Sequence, residues 1–114
     1  MAIEPGLYNF TLQRRSDHTI PLIFKDSNNN AINLTGFTVA AQVWEETRNF
    51  KFADFSVTYT DRSAGSVSIT LTDAQTETFT VPTLKYDVLL IDAGGNREYY
   101  LEGTITMSEG YTTT

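Results

Sequence analysis

Apolar and polar residues alternate with a period of two along most of the chain, the pattern of strands with one buried and one wet face. In residues 7–14, Tyr8, Phe10 and Leu12 alternate with Asn9, Thr11 and Gln13. Ile20, Leu22 and Phe24 repeat this over 19–25 after a turn at Ser16, Asp17 and His18. Pro21 lies inside that second run and cannot donate to a ladder, so the strand is expected at a sheet edge. The Asx cluster 26–30 reads as a tight turn into a short strand over 31–34. Thr35 and Gly36 then form a corner, because glycine tolerates a backbone conformation costly for other residues. Replacing Gly36 is expected to destabilise the fold, and replacing Asn29 in the turn is not.

The stretch 30–45 organises the rest. Beyond its corner, Phe37, Val39, Ala41 and Val43 mark a core strand over 37–45, with Trp44 on the opposite face as core or rim packing. A turn at 47–49 and the alternating Phe50 and Phe52 lead to a strand over 55–60, then a polar turn over 61–65. Val67, Ile69 and Leu71 mark a strand over 66–72. Thr72 and Gln75 have the spacing of a capping box and predict one helical turn crossing between sheets. The run 84–92 is the most apolar and, with Val88 and Leu90 as core residues, is expected to be central. Gly94 and Gly95 signal a hairpin. The returning strand 97–107 puts Tyr99, Leu101, Gly103, Ile105 and Met107 on one face, and Glu98, Tyr100, Glu102 and Thr104 on the other.

About seven to nine short strands, one helical turn and no helix-period segment predict an all-β fold. The expectation is a two-sheet antiparallel immunoglobulin-like β-sandwich forming a single domain over 1–114, with a small closed β-barrel as the alternative. Residues 1–6 and 109–114 are expected to be flexible or partner-bound tails, and Tyr111 is a candidate partner contact.

Composition narrows the partners. The 114 residues contain no cysteine, which removes disulfides, thiolate zinc sites and a cysteine nucleophile. A net charge of -6 disfavours nucleic acid and anionic lipid. The adjacent pair Arg14 and Arg15 reads as a solvated strand end. No apolar run approaches the roughly 18 residues of a membrane span, and the N-terminus lacks a signal-peptide pattern, so use without secretion is expected.

Catalytic patterns are absent from the sequence. His18 is the single histidine and reads as a turn residue. Asp26, Asn28 and Asn30 imitate the start of a calcium loop, but Ala31 and Phe37 stand where that loop needs glycine and glutamate. Glu98 and Glu102 read as a solvated strand face. The acceptor patterns at Asn9 and Asn33 carry no weight without secretion. The expectation is a non-enzyme with no cofactor, no metal and no small-molecule substrate.

Two stretches carry a family resemblance. Residues 26–42 hold an Asp, a turn and Ala-Ile-Asn-Leu-Thr-Gly-Phe before an outgoing strand. Residues 84–107 hold Tyr86-Asp87-Val88, Gly94-Gly95 and Leu101, Gly103, Ile105 and Met107 at alternate positions. Both, with the middle strand and crossover 66–76, resemble small virion proteins of tailed bacteriophages. The sequence departs from that pattern at Asn29 and Asn30, where a glycine is common, and at Phe37 in place of a tyrosine. The resemblance implies a structural piece of the phage particle in the tail, baseplate or fibre-attachment region. It would be assembled in the host bacterial cytoplasm against other virion proteins and copies of itself. A capsid decoration protein is the alternative within that class. A carbohydrate- or receptor-binding module, suggested by Trp44, Tyr99 and Tyr111, is the alternative outside it.

Overall fold

The computed structural model describes residues 6–26 and 28–109. Two sheets face one another across an apolar core, and neither closes into a barrel. The strands are β1 (Gly6–Leu7), β2 (Phe10–Gln13), β3 (His18–Ile23), β4 (Thr38–Glu45), β5 (Lys51–Asp54), β6 (Ser56–Asp61), β7 (Ser66–Leu71), β8 (Thr83–Ile91) and β9 (Arg97–Ser108). The larger, six-stranded sheet runs β1-β9-β8-β4-β5, with β2 also on β9, and the smaller runs β3-β7-β6. The expected β-sandwich is thus observed, with β4 and β8 in the interior of the larger sheet and β3, carrying Pro21, at an edge of the smaller one.

Alternation builds the core. Val39, Ala41 and Val43 from β4, Leu84, Tyr86, Val88 and Leu90 from β8, and Ile105 from β9 point inward and are buried. Val67, Ile69 and Leu71 from β7 and Ile20 from β3 meet them from the smaller sheet. Each such aliphatic side chain contributes about 1.5–3 kcal/mol by leaving water. Phe37 and Leu101 are half-buried and pack against the same cluster.

The chain changes sheets at places with identifiable chemistry. Between β5 and β6 the buried Phe55 donates its N–H to Ala41 O (2.9 Å), so one run of chain leaves the β4 edge for the smaller sheet. Farther along that edge the Tyr59 hydroxyl accepts the Val39 N–H (2.9 Å). The Arg62 guanidinium stacks on the Tyr59 ring (3.7 Å) and donates to the carbonyls of Leu34 and Phe37. From β7 the chain crosses back through α1 (Asp73–Glu77), where Thr72 and Gln75 make the complete capping box. The polar turn before β7 is a single 3-10 turn, Arg62–Ala64, capped by Asp61 and closed by the left-handed Gly65.

Several expectations are corrected. The run 7–14 is two pieces, and both pair with β9 in parallel, whereas the remaining strand pairings are antiparallel. The break at Tyr8 and Asn9 lies over Gly103, where a Cβ would sit 1.9 Å from Tyr8 O. Residues 31–34 form no strand, only a bridge from Ala31 to Lys25. The first turn falls at Arg14 and Arg15, with Arg15 at φ 68°, and not on His18. His18 opens β3 with its ring stacked on Phe10 (5.0 Å), where burial lowers its pKa. Arg14 and Arg15 are not simply solvated, since both pair with Glu109. Asn29 sits at φ 65°, so its replacement by alanine carries a backbone cost after all.

The largest correction concerns β9. Leu89 pairs with Tyr99 but Val88 pairs with Leu101, leaving Tyr100 as the extra residue of a bulge. A bulge reverses the facing of everything on one side of it. Gly103 and Ile105 therefore face the core while Tyr99 faces outward. Tyr100 turns in onto Phe24 (4.4 Å between ring centroids) and accepts the Lys25 N–H. Glu98 and Glu102 consequently lie on opposite faces: Glu98 pairs with the buried Leu90, and Glu102 with Asp87.

Candidate functional site

The side chains that alternation turns away from the core line the outer face of the larger sheet, and strand register sets them in rows. One row is Ala40, Leu89 and Tyr99. The next crosses four strands as Gln42, Asp87, Glu102 and Leu7. A third is Trp44, Lys85 and Thr104. Together they floor a trough of about 580 Å³, a size within the roughly 300–1,000 Å³ of small-ligand sites. Tyr99 and Leu7 stand at its rim, 50% and 73% exposed.

The turn after β4 shapes one end. Arg48, at φ 65°, directs the chain so that its guanidinium lies over the Trp44 ring, 4.6 Å from the centroid. The Trp44 indole N–H donates to Gln42 Oε1 at 2.9 Å, two residues back on the same face. Lys85 Nζ donates to Thr104 Oγ1 across the strands (2.7 Å). Trp44 is thereby fixed in place, with one ring face occupied by a cation.

The trough carries both signs of charge, with Arg48, Lys85 and Arg97 lining it beside acidic side chains that include Asp87 and Glu102. Asp87 and Glu102 stand directly opposite one another on antiparallel strands, an arrangement unfavourable for like charges. Burial, and then the Glu102 charge, raise the Asp87 pKa above the ordinary carboxylate range, while Arg48 acts in the opposite sense. The ion pairs among the described residues are Arg14 with Glu109, Arg15 with Glu109 and Lys51 with Asp54. Neither Asp87 nor Glu102 takes part in one. Among the described residues no three histidine or acidic side chains gather as a metal-holding group, and no helix is long and apolar enough to cross a membrane.

Of the residues singled out in the sequence, the structure brings Trp44, Tyr99 and Glu102 into this trough, with Gly103 in its lining. Val39, Val43, Val88, Leu90 and Ile105 lie in the core, with Phe37 and Leu101 against it. Gly36 and Gly95 occupy turns at φ 84° and 86°, and Gly103 lies beneath the Tyr8 backbone. Tyr111 is outside the described residues. The calcium-like cluster is an Asx turn in which Asp26 Oδ1 accepts the N–H groups of Asn28 and Asn30. The side chains of Asn9 and Asn33 accept backbone N–H groups from Thr104 and Thr35.

Sequence reasoning did not select Gln42, Arg48, Lys85 or Asp87. Outward alternation on β4 and β8 was the available signal. The opposition of Asp87 and Glu102 was hidden, because an unbulged hairpin would have set Asp87 against Leu101. No family model matches the chain, and no curated protein matches it.

Proposed function

We propose that this chain is a non-enzymatic structural component of a tailed-bacteriophage particle, acting by protein–protein assembly in the tail, baseplate or fibre-attachment region. The resemblance over 26–42, 66–76 and 84–107 supports the phage assignment. The observation that carries the assembly reading is the outer face of the larger sheet. A monomer with no further contacts gains nothing by holding Tyr99 and Leu7 in water beside two opposed carboxylates, whereas an assembly face uses all four. The face is broad and mixed in polarity, as surfaces of non-obligate interfaces are.

The test is to image purified particles carrying a labelled copy of the chain. Label at the tail or baseplate is the expected result, with repeated copies following the symmetry of the particle. Label on the head would replace this reading by capsid decoration. Recovery of the protein only from the soluble fraction of infected cells would refute both. A second reading, carbohydrate recognition, draws on Trp44 and Tyr99 sharing one trough. A glycan array without binding at high protein concentration removes it.

A further inference from the structure

We infer that the outer edge of β6 pairs with the same edge of a second copy of this chain, antiparallel and about a twofold axis at Thr58. This goes beyond the assembly reading and is independent of it, since it uses a different surface and names the partner. The two sheets present edges at β3, β6, β5 and the β1–β2 side, and an open edge is a template for another chain unless something blunts it. Three of these four are blunted. Pro21 removes a donor from β3, and the Tyr100 hydroxyl engages its far end by donating to Ile23 O (3.3 Å). β5 has four residues, a bulge against β4 and the charges of Lys51 and Asp54. β1 has two residues, and the run breaks at Tyr8 and Asn9 before β2. By contrast β6 has six residues, pairs among the described residues with β7 alone, and keeps a regular register from Ser56 to Tyr59. That stretch, Ser-Val-Thr-Tyr, is rich in strand-favouring residues and contains neither a proline nor a charge.

Register and charge both fit a second copy. Ser56 and Thr58 face outward and are exposed, whereas Val57 and Tyr59 are half-buried against the core. Opposite residues of an antiparallel pair share a face, so only registers that set like-facing residues together continue both faces of the sheet. Centring on Thr58 gives the longest such overlap within residues 56–60. Thr58 then meets its own counterpart, Ser56 meets Thr60, and Val57 meets Tyr59. Hydroxyl pairs and an aromatic with a β-branched residue are the combinations that stabilise neighbouring strands. The smaller sheet already makes such hydroxyl pairs, Thr19 with Thr70 (3.1 Å) and Thr60 with Ser66 (2.7 Å). The rows leading to the edge are Thr19, Thr70 and Ser56, then Pro21, Ser68 and Thr58, with no charged side chain in either. In a chain of net charge -6, an uncharged approach is where two copies repel each other least, and a basic partner finds nothing there to meet. Asp61 is the nearest charge along the strand. Antiparallel pairing sends its two copies to opposite ends, roughly 20 Å apart at about 3.3 Å per residue.

The experiment is sedimentation velocity of the full chain over a concentration series reaching the millimolar range, with amide hydrogen exchange measured at the lowest and highest concentrations. Expected are a monomer–dimer equilibrium and slowed exchange of β6 amides at high concentration, with β3 and β5 amides unchanged. Thr58→Lys sets two like charges against each other at the axis and should weaken the dimer about tenfold or more, as should Thr58→Asp. Thr58 is exposed, so circular dichroism should show both variants folded. Mixing the Thr58→Lys chain with the Thr58→Asp chain should restore a dimer of one of each, a rescue that loss of folding cannot imitate. Thr19→Lys, on the same face at the β3 edge, should leave the dimer intact. A chain monomeric to millimolar concentration, a dimer unaffected by Thr58→Lys, equal weakening by Thr19→Lys, or mixed variants that do not associate would overturn the inference. Slowed exchange on another strand in place of β6 would assign the contact elsewhere and overturn it as well. Particle imaging is separate: a dimer in solution with no label on particles would refute the phage reading alone, and a monomer located in the tail would refute this inference alone.

Discussion

Replacing Gly103 by alanine should unseat the N-terminal strands from β9. The added Cβ would lie 1.9 Å from Tyr8 O, 2.7 Å from Tyr8 C and 2.9 Å from a Tyr86 ring carbon. To regain ordinary contact, the Tyr8 carbonyl must withdraw by roughly 1.5 Å. That carbonyl accepts the Tyr86 hydroxyl at 2.5 Å, and burial raises the pKa of the phenol, keeping it a donor. Withdrawal also strains the Tyr8 N–H to Glu102 O bond (3.0 Å) and the Thr104 N–H to Asn9 Oδ1 bond (2.8 Å). Losing one or two such bonds at about 1 kcal/mol each, with an overpacking cost of about 1–3 kcal/mol, gives a loss of about 3 kcal/mol. For a chain of this size that lowers Tm by roughly 12 °C. Gly95→Ala is the control, since at φ 86° it meets nothing within 4 Å and carries only the backbone cost, about 1 kcal/mol. Thermal unfolding followed by circular dichroism measures both. A Gly103→Ala loss no larger than that of Gly95→Ala would refute the close approach of the Tyr8 backbone.

Gly36→Val should cost about 2 kcal/mol by forcing a β-branched residue to positive φ, and Asn29→Ala about 0.5–1 kcal/mol, both read by denaturant unfolding. Tyr59→Phe should cost about 1–2 kcal/mol because the Val39 N–H loses its acceptor; an unchanged midpoint would contradict that role. Thr72→Ala should cost about 1 kcal/mol through loss of the capping box, with no loss in Thr72→Ser, which keeps the hydroxyl acceptor. Asp87→Asn should raise Tm at neutral pH. Its folded pKa is raised, so the native state holds its proton more tightly than the unfolded chain does. Stability is then lost as pH rises from the unfolded pKa through the folded one, and the gain from the amide should fade on acidification below that window. A gain that persists undiminished in acid would point away from the carboxylate charge.

Strand content was legible because alternation is a local property. Val39, Ala41 and Val43 specify their facing without reference to any neighbour, and Thr72 with Gln75 specifies a cap within four residues. Pro21 likewise located an edge through its missing donor. What escaped the sequence depends on partners distant along the chain. Nothing between Tyr8 and Gln13 encodes parallel rather than antiparallel pairing, because that choice belongs to β9. The bulge at Tyr100 is stabilised by Phe24 and the Lys25 N–H, far upstream, so Tyr99 and Tyr100 exchanged their expected faces. The candidate site suffered most from this, since its central pair, Asp87 and Glu102, exists only in the bulged register. Trp44 was legible as a large residue on the outer face, but its pairing with Arg48 needed the turn at 46–49.

The parallel attachment of β1 and β2 to β9 has a consequence for how the molecule is made. Asn9 and Thr104 are joined across 95 positions, and β9, which carries Thr104, follows the other eight strands described. The three strands of the smaller sheet can pair while translation continues, but β2 and β8 have no common neighbour until β9 appears. Closure of the larger sheet is therefore a late, non-local step whose loop-closure entropy must be met before its contacts form, the circumstance that slows β-proteins most. β2 waits for its β9 partner while the strands between them are made, and a chain stopped short of Arg97 leaves the edges of β2 and β8 open to other molecules.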